Sequence, residues 1–276
     1  MGRLRAEANG GFGKMLRDVL IIILLVFGIH SFVAKPFYIP SDSMMPLLHS
    51  GDRLIVSKYP YGWSHASISF HLAPPMAGRI AAKLPERGDV VVLEHPELRV
   101  DYIKRVIGLP GDRLSMKNGV LSINGQAVQR DVQPMAHIPV DANVPSPGSS
   151  LGRFIRRDTQ GKAILELPIV RETLSNGVSF DTIDMGPGYP GDDFAELVVP
   201  AGHLFLMGDN RDGSADSRVA TSAKGLGGPV PFEAIAGRAE FISFSTDGSA
   251  KTFNPISWVK ALRGERAGMN LRPDQK

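Results

Sequence analysis

The hydrophobic pattern of this chain changes period once, near residue 35. Before that point, Val19 to Ala34 (VLIIILLVFGIHSFVA) carries no formal charge, and Met15 and Leu16 extend the run past Arg17 and Asp18. Ile, Leu and Val on every side predict a helix without a solvent face. A bilayer core takes about 20 apolar residues, with a range of about 17 to 25. The run suits a span at the short end of that range, with Arg17 and Lys35 snorkelling to the interfaces. Beyond it the apolar residues alternate. Gly51-Asp52, Gly88-Asp89 and Gly111-Asp112 lead into GDRLIVSKY, GDVVVLEH and GDRLSM, and a turn pair feeding β-branched alternation is a strand start. Two further pairs, Gly191-Asp192 and Gly208-Asp209, punctuate the later chain. Asn118-Gly119 and Asn124-Gly125 flank a short strand, the mark of a tight meander. Strands are also expected near 203–207 and 235–244, and no long amphipathic helix follows residue 35.

The predicted fold is therefore mainly β, a single N-terminal transmembrane helix followed by a β-rich domain. We expect a segment 1–18, an anchor over 19–35, a β core formed by 36–128 and 200–250, and a tail at 251–276. Residues 129–199 are rich in Pro and Ser at their start and read as an inserted second β lobe. Residues 59–83 are aromatic and Pro-rich and read as an irregular loop, either at the lipid interface or folded onto the domain. The polar tail after Trp258 is expected to fray.

Charge orients the anchor. Arg3, Arg5, Lys14 and Arg17 precede it, and shortly after it stands only Lys35. The positive-inside bias leaves the N-terminus in the cytoplasm and the β domain outside. A cleavable signal peptide would share the basic and apolar regions, but Phe32 occupies the place where a small residue is needed before the cut. The 276 residues carry a formal net charge of +3, without a basic stripe interleaved with aromatics, so nucleic acid is not an expected partner. There is no cysteine, which removes disulfides, thiol catalysis and thiolate metal sites. The seven histidines show no metal-ligand spacing, and neither a metal nor a cofactor is expected. Gly148-Ser149-Ser150-Leu151-Gly152 fits a nucleophile-elbow pattern, but it lies in a Pro/Ser loop rather than between a strand and a helix.

The remaining chemistry lies in YIPSDSMMPLL, Tyr38 to Leu48, where Ser41 and Ser43 stand in apolar text. A serine hydroxyl needs a base to attack. DYIKRVIGLPGD offers a lysine in similarly apolar text. As a strand, it puts Tyr102, Lys104 and Val106 on one face and Ile103 and Arg105 on the other. One of the two cations then points inward while its neighbour meets solvent; two surface cations on an edge strand are the other reading.

Three segments together resemble bacterial type I signal peptidases. IPSDSMMPLL is similar to their nucleophile box, RGDVVVLEHPELRVDYIKRVIGLPGD to the strand pair bearing their lysine base, and MGDNRDGSADSR to their Gly-Asp-Asn-Arg box. The resemblance covers roughly 15–120 and 200–245. It implies Ser43 as nucleophile and Lys104 as base. It further implies Ser41 as an oxyanion donor beside the Ser43 N–H, and Ser214 as the hydroxyl that orients the lysine. Asp216 and Arg218 would form an ion pair bracing their loop, with Asp209 and Arg211 in supporting roles. Phe37, Ile39, Pro40, Met44, Leu48, Tyr102 and Ile103 would line the pockets for small side chains. The sequence departs from the usual pattern at Asp42, where glycine is common, and at Leu47, where threonine is common. Asp42 is expected to face solvent.

The implied activity is removal of signal peptides from exported precursors by a Ser-Lys dyad. The expected location is the bacterial inner membrane, single-pass, with the catalytic domain on the periplasmic side. Precursor proteins and the lipid bilayer are the expected partners, and translocation machinery is a further candidate. Ser43 lies nine residues beyond Ala34, within about 30 Å of the membrane surface at roughly 3.3–3.6 Å per residue. Two alternatives stay open: an anchored Ser-Lys peptidase with one dedicated substrate, and a non-catalytic exported β domain.

Overall fold

Each of the three Gly-Asp pairs predicted to open a strand does so in the computed structural model of the chain. It describes residues 2–273, apart from the side chains of residues 2–11 and of His71. Met1, residues 274–276 and the Arg3 and Arg5 side chains therefore lie outside the described residues. A single device closes four of the five turns. Gly51, Gly88, Gly111 and Gly191 have φ between +90° and +100°, a region that disfavours a Cβ. The Asp that follows each accepts a hydrogen bond from the N–H three residues back: His49 to Asp52 at 2.8 Å, Glu86 to Asp89 at 2.9 Å, Leu109 to Asp112 at 2.6 Å, and Tyr189 to Asp192 at 2.8 Å. Gly208-Asp209 is built differently, and it belongs to the site.

Helix α1 (Gly2–Phe32) is followed by β1 (Ala34–Tyr38), β2 (Asp52–Ser57), β3 (Val90–Glu94), β4 (Asp101–Gly108), β5 (Arg113–Lys117), β6 (Val120–Ile123), β7 (Gln126–Ala127) and β8 (Gln129–Pro139). Then come β9 (Ile155–Arg157), β10 (Ala163–Thr173), β11 (Ser179–Ile183), β12 (Phe194–Val198), β13 (His203–Met207), β14 (Val230–Pro231), β15 (Ile235–Ser245) and α2 (Pro255–Lys260). The chain is mainly β. Phe12–Phe32 are long and apolar enough to cross a membrane, and their large side chains stand exposed.

Three sheets carry the domain. The largest runs β1-β2-β15-β3-β4-β13-β14, a second runs β11-β10-β8 with β9 beside β10, and a third runs β12-β5-β6-β7. Strand β3 is buried at all five positions, which its VVVLE sequence allows because an alternating polar face is missing. One core, with Ile39, Met44, Leu48, Leu54, Val56, Val92 and Ile103, packs against the large sheet. A separate core under β8, β10 and β11 contains Met45, Ile138, Val144, Leu151, Leu165, Leu167, Ile169 and Ile183.

As far as residue 273, the tail does not fray. Leu271 is buried and its N–H donates to Glu240 O at 2.9 Å, while Arg266 holds Asp52 through two bonds of 2.6 and 2.9 Å. Gly268 N also donates to Ile242 O at 2.8 Å, and Ile242 N to Met269 O at 3.0 Å. The 59–83 loop folds onto the domain: Arg79 donates to Phe232 O at 2.9 Å, Ile235 O at 2.8 Å and Gly62 O at 2.7 Å. Phe70, Leu72 and Ile80 remain exposed at its surface.

Candidate active site

The segment after β1 turns sharply, with Met45 N donating to Asp42 O at 3.1 Å and Leu48 N to Met44 O at 2.9 Å. Its two methionines enter different cores. Met44 goes under the large sheet and Met45 into the core of the β8–β11 lobe. Ser43, just before them, is left half-buried at the wall of a cavity of about 440 Å³. Ser41 Oγ donates to Ser43 Oγ at 3.4 Å, a long contact.

Lys104 reaches the same hydroxyl from β4, where it pairs with Val91 of β3. Its Nζ donates to Ser43 Oγ at 3.0 Å and to Ile103 O at 2.8 Å. The amine is buried, and burial pushes its pKa from 10.5 down to about 8. The Asp216 and Asp209 carboxylates pull the other way, and Arg218 adds to the lowering. At pH 7 about a tenth of such amines are neutral, against roughly one in 3,000 for an ordinary lysine. A neutral amine at this distance can accept the Ser43 proton.

Arg105 does not meet solvent as expected. It is buried beside Lys104, forks onto Asp209 at 2.6 and 2.7 Å, donates to Gly88 O at 2.8 Å and covers the Phe180 ring. Strand β4 lies between β3 and β13 inside the large sheet, and Phe180 of β11 covers the face that carries Arg105, so alternation leaves no solvent side there. A matched fork is what makes a buried guanidinium tolerable.

Residues 208–218 wrap the pair. Gly208 is required: a Cβ there would stand 2.2 Å from Ser214 Oγ and 2.5 Å from Ser43 O. Its N–H donates to Asp216 Oδ2 at 2.9 Å, and Asp216 is gripped by Arg218 at 2.8 and 3.0 Å. Arg211 donates to Glu172 of β10 at 2.5 Å and to Gly208 O at 3.2 Å. Asn210 N donates to Ser43 O, and Asn210 Nδ2 to Asp42 O, both at 3.2 Å.

Comparisons with known proteins give the family. The family model for signal peptidase, peptidase S26, matches residues 13–244. The chain belongs to the S26 signal peptidase family. The signal peptidase I of Rickettsia typhi is 32% identical, with 98% of each chain covered. That of Rickettsia prowazekii is 33% identical over the same shares. A crystal structure of an Enterococcus faecalis signal peptidase I covers 56% of this chain and 97% of its own, at 22% identity and a TM-score of 0.29. Membership in the S26 family makes the chain a serine peptidase.

Within this S26 chain the cavity is lined by Phe37, Tyr38, Ile39, Pro40, Ser41 and Ser43 on one side. Val92, Asp101, Tyr102, Ile103, Lys104, Gly213, Ala215, Ala223 and Lys224 complete it. Met44 and Leu48, expected in the lining, are instead wholly buried in the sheet core, because the turn after Ser43 carries them inward. The lining from 213 to 224 was missed by sequence reasoning; small residues in a long loop carry no pattern. A larger cavity, about 570 Å³, lies among Pro46, Phe180 and Met269–Pro273. It includes neither Ser43 nor Lys104, so it is not the site.

Two further expectations fail. Asp42 is buried, not solvent-facing, with its Oδ2 accepting from Ser146. Ser214 is buried near Gly208, yet its Oγ has no hydrogen-bond partner among the described residues. The amine instead uses Ile103 O and Ser43 Oγ.

Proposed function

We propose that the chain is a membrane-anchored signal peptidase in which Ser43 attacks the scissile carbonyl and Lys104 is the base. The observation that carries this reading is the 3.0 Å contact between Ser43 Oγ and a buried amine at the cavity wall. Neutral Lys104 accepts the Ser43 proton as Oγ adds to the carbonyl carbon. The oxygen that gains charge takes hydrogen bonds from the Ser43 N–H and the Ser41 hydroxyl, and a donor of this kind contributes about 2.7–4 kcal/mol. On collapse, Lys104 returns the proton to the leaving amine and an ester to Ser43 remains. A water, deprotonated by Lys104, then releases the signal peptide as a carboxylate and frees Ser43.

The substrate class is a precursor with small apolar residues before the cut, which suits walls made by Val92, Ile103 and Ala215 beside the serines. The anchor is α1, with its N-terminus cytoplasmic and the β domain on the outer face. Arg3, Arg5, Lys14 and Arg17, which precede its charge-free run from Val19, support that orientation. The bilayer is thus a standing partner, and translocation machinery is the natural source of substrate.

The test is cleavage of a signal-peptide-bearing precursor in detergent by wild type, Ser43→Ala and Lys104→Ala. Both variants are expected to lose activity, and kcat/KM of the wild type should rise with pH to a midpoint near 8. Cleavage retained by either variant would overturn the assignment.

A further inference from the structure

The inserted lobe touches the nucleophile segment through a residue that the chemistry above leaves unused. Asp42 precedes Ser43 and is buried. Its Oδ2 accepts the Ser146 N–H at 2.8 Å and the Ser146 hydroxyl at 2.9 Å. Its Oδ1 is buried with no partner among the described residues. Leaving half a carboxylate unsatisfied is costly, and the arrangement persists because Ser146 is held in place independently of Asp42.

That holding can be traced residue by residue. Arg263 grips Asp141 at 2.6 and 3.0 Å and also donates to Ser50 O at 3.0 Å. Asp141 Oδ1 accepts from Asn143 N and Val144 N, each at 2.9 Å. Asn143 Nδ2 donates to Thr246 O at 2.8 Å, and Val144 is buried in the same core as Met45. The 141–146 segment is thus tied to the large sheet at one end and offers two fixed donors at the other. On the opposite side, Asn210 holds the carbonyls of Asp42 and Ser43. The residues around Ser43 are clamped from both flanks, and Asp42 is the only one whose side chain reaches the lobe side of the clamp through hydrogen bonds.

We propose that Asp42 is a positioning residue: its bond to Ser146 makes the inserted lobe hold Ser43 Oγ at attacking distance from Lys104. The inference rests on Ser43 being the nucleophile. A nucleophile displaced by about 1 Å loses on the order of 100-fold in rate, whereas the substrate walls contain no part of the latch.

The experiment uses the full chain in detergent, a precursor as substrate, and the variants Asp42→Ala, Asp42→Asn, Ser146→Ala and Asp42→Ala/Ser146→Ala, with Ser43→Ala beside them. Asp42→Ala should lower kcat by about 10- to 100-fold with KM changed by less than about threefold. The pH midpoint of the rate should stay where Lys104 sets it. Asp42→Asn keeps an acceptor for Ser146 and should recover most of the loss. Ser146→Ala keeps the backbone N–H and should lose about 3- to 10-fold. The double variant should be no slower than Asp42→Ala alone, because both changes open one latch. If Asp42→Ala does not fold, Ser146→Ala decides by the same kcat criterion. Unchanged kcat in the variants, a loss carried by KM alone, no recovery in Asp42→Asn, or losses that multiply in the double variant would each overturn the latch. An active Ser43→Ala would instead overturn the reading on which the latch rests, and an inactive Ser43→Ala beside a fully active Asp42→Ala would overturn the latch alone.

Discussion

Replacing Lys104 by methionine should abolish cleavage and at the same time stabilise the fold, by an amount that depends on pH in one direction only. The folded-state amine titrates near 8 because it is buried, whereas an unfolded lysine titrates near 10.5. Below pH 8 both states bind the proton, and the folded state carries the whole cost of holding a charge it disfavours. That cost is about 3 kcal/mol, taking about 1.36 kcal/mol for each tenfold change in proton affinity. Between pH 8 and 10.5 the folded amine is already neutral while the unfolded one is still charged. The cost therefore shrinks by about 1.4 kcal/mol per pH unit as pH rises, and it vanishes above 10.5. Methionine has similar reach and no charge, so it removes the cost at neutral pH. It also forfeits the bonds to Ile103 O and Ser43 Oγ, each worth about 0.5–1.5 kcal/mol. The expected net gain is about 1 kcal/mol at pH 7, or roughly 2–4 °C in Tm for a chain of this size. Paired thermal melts of wild type and Lys104→Met in detergent, from pH 7 to 10.5, measure it, and other titrating groups cancel in the difference. A Tm difference that stays flat over that range would refute the burial argument, and so would a variant less stable than wild type at pH 7.

The Arg105–Asp209 fork should behave oppositely. Arg105→Ala leaves the buried Asp209 carboxylate without its partner and should destabilise by about 3–5 kcal/mol in denaturant melts, and adding Asp209→Ala should recover part of that loss. An Arg105→Ala melt within about 1 kcal/mol of wild type would contradict the pairing. Met45→Ala removes a side chain wholly buried in the lobe core and should cost about 2–5 kcal/mol; equal stability would mean that the lobe does not pack on the segment after Ser43.

Much of the fold could be read from local signals, for an identifiable reason. A strand start at a Gly-Asp pair needs only the pair itself: a positive φ for the glycine and a carboxylate for the N–H three residues back. Four of the five pairs follow that rule. An anchor needs only a run of apolar side chains. What local signals did not reveal is which neighbour covers a strand. Arg105 was expected outside because alternation assigns it to the face opposite Lys104, and that face is open only if nothing packs there. Phe180 packs there, and it lies 75 positions further along the chain. The same reason hides the fastening of the tail by Arg266 and Leu271, since their partners, Asp52 and Glu240, are remote in sequence.

The exceptions to the local rules gather around Ser43, and that is physically reasonable. Gly208-Asp209 is the one Gly-Asp pair that forms no strand-opening turn of the shared kind. Its glycine makes room for Ser43 O, and its aspartate reaches across to Arg105 instead of closing a turn. Asp42 breaks the expectation that a carboxylate seeks water. Its neighbour Met45 leaves the core that Met44 enters and crosses to the lobe. Each departure gives up a locally favourable arrangement for a contact with a different part of the chain. Together they place one hydroxyl against one buried amine. The large sheet carries Lys104, whereas the segment around Ser43 also meets the 208–218 loop through Asn210 and the inserted lobe through Asp42 and Met45. An insertion that reads as an accessory in the sequence is therefore one of the three surfaces that the segment around Ser43 meets.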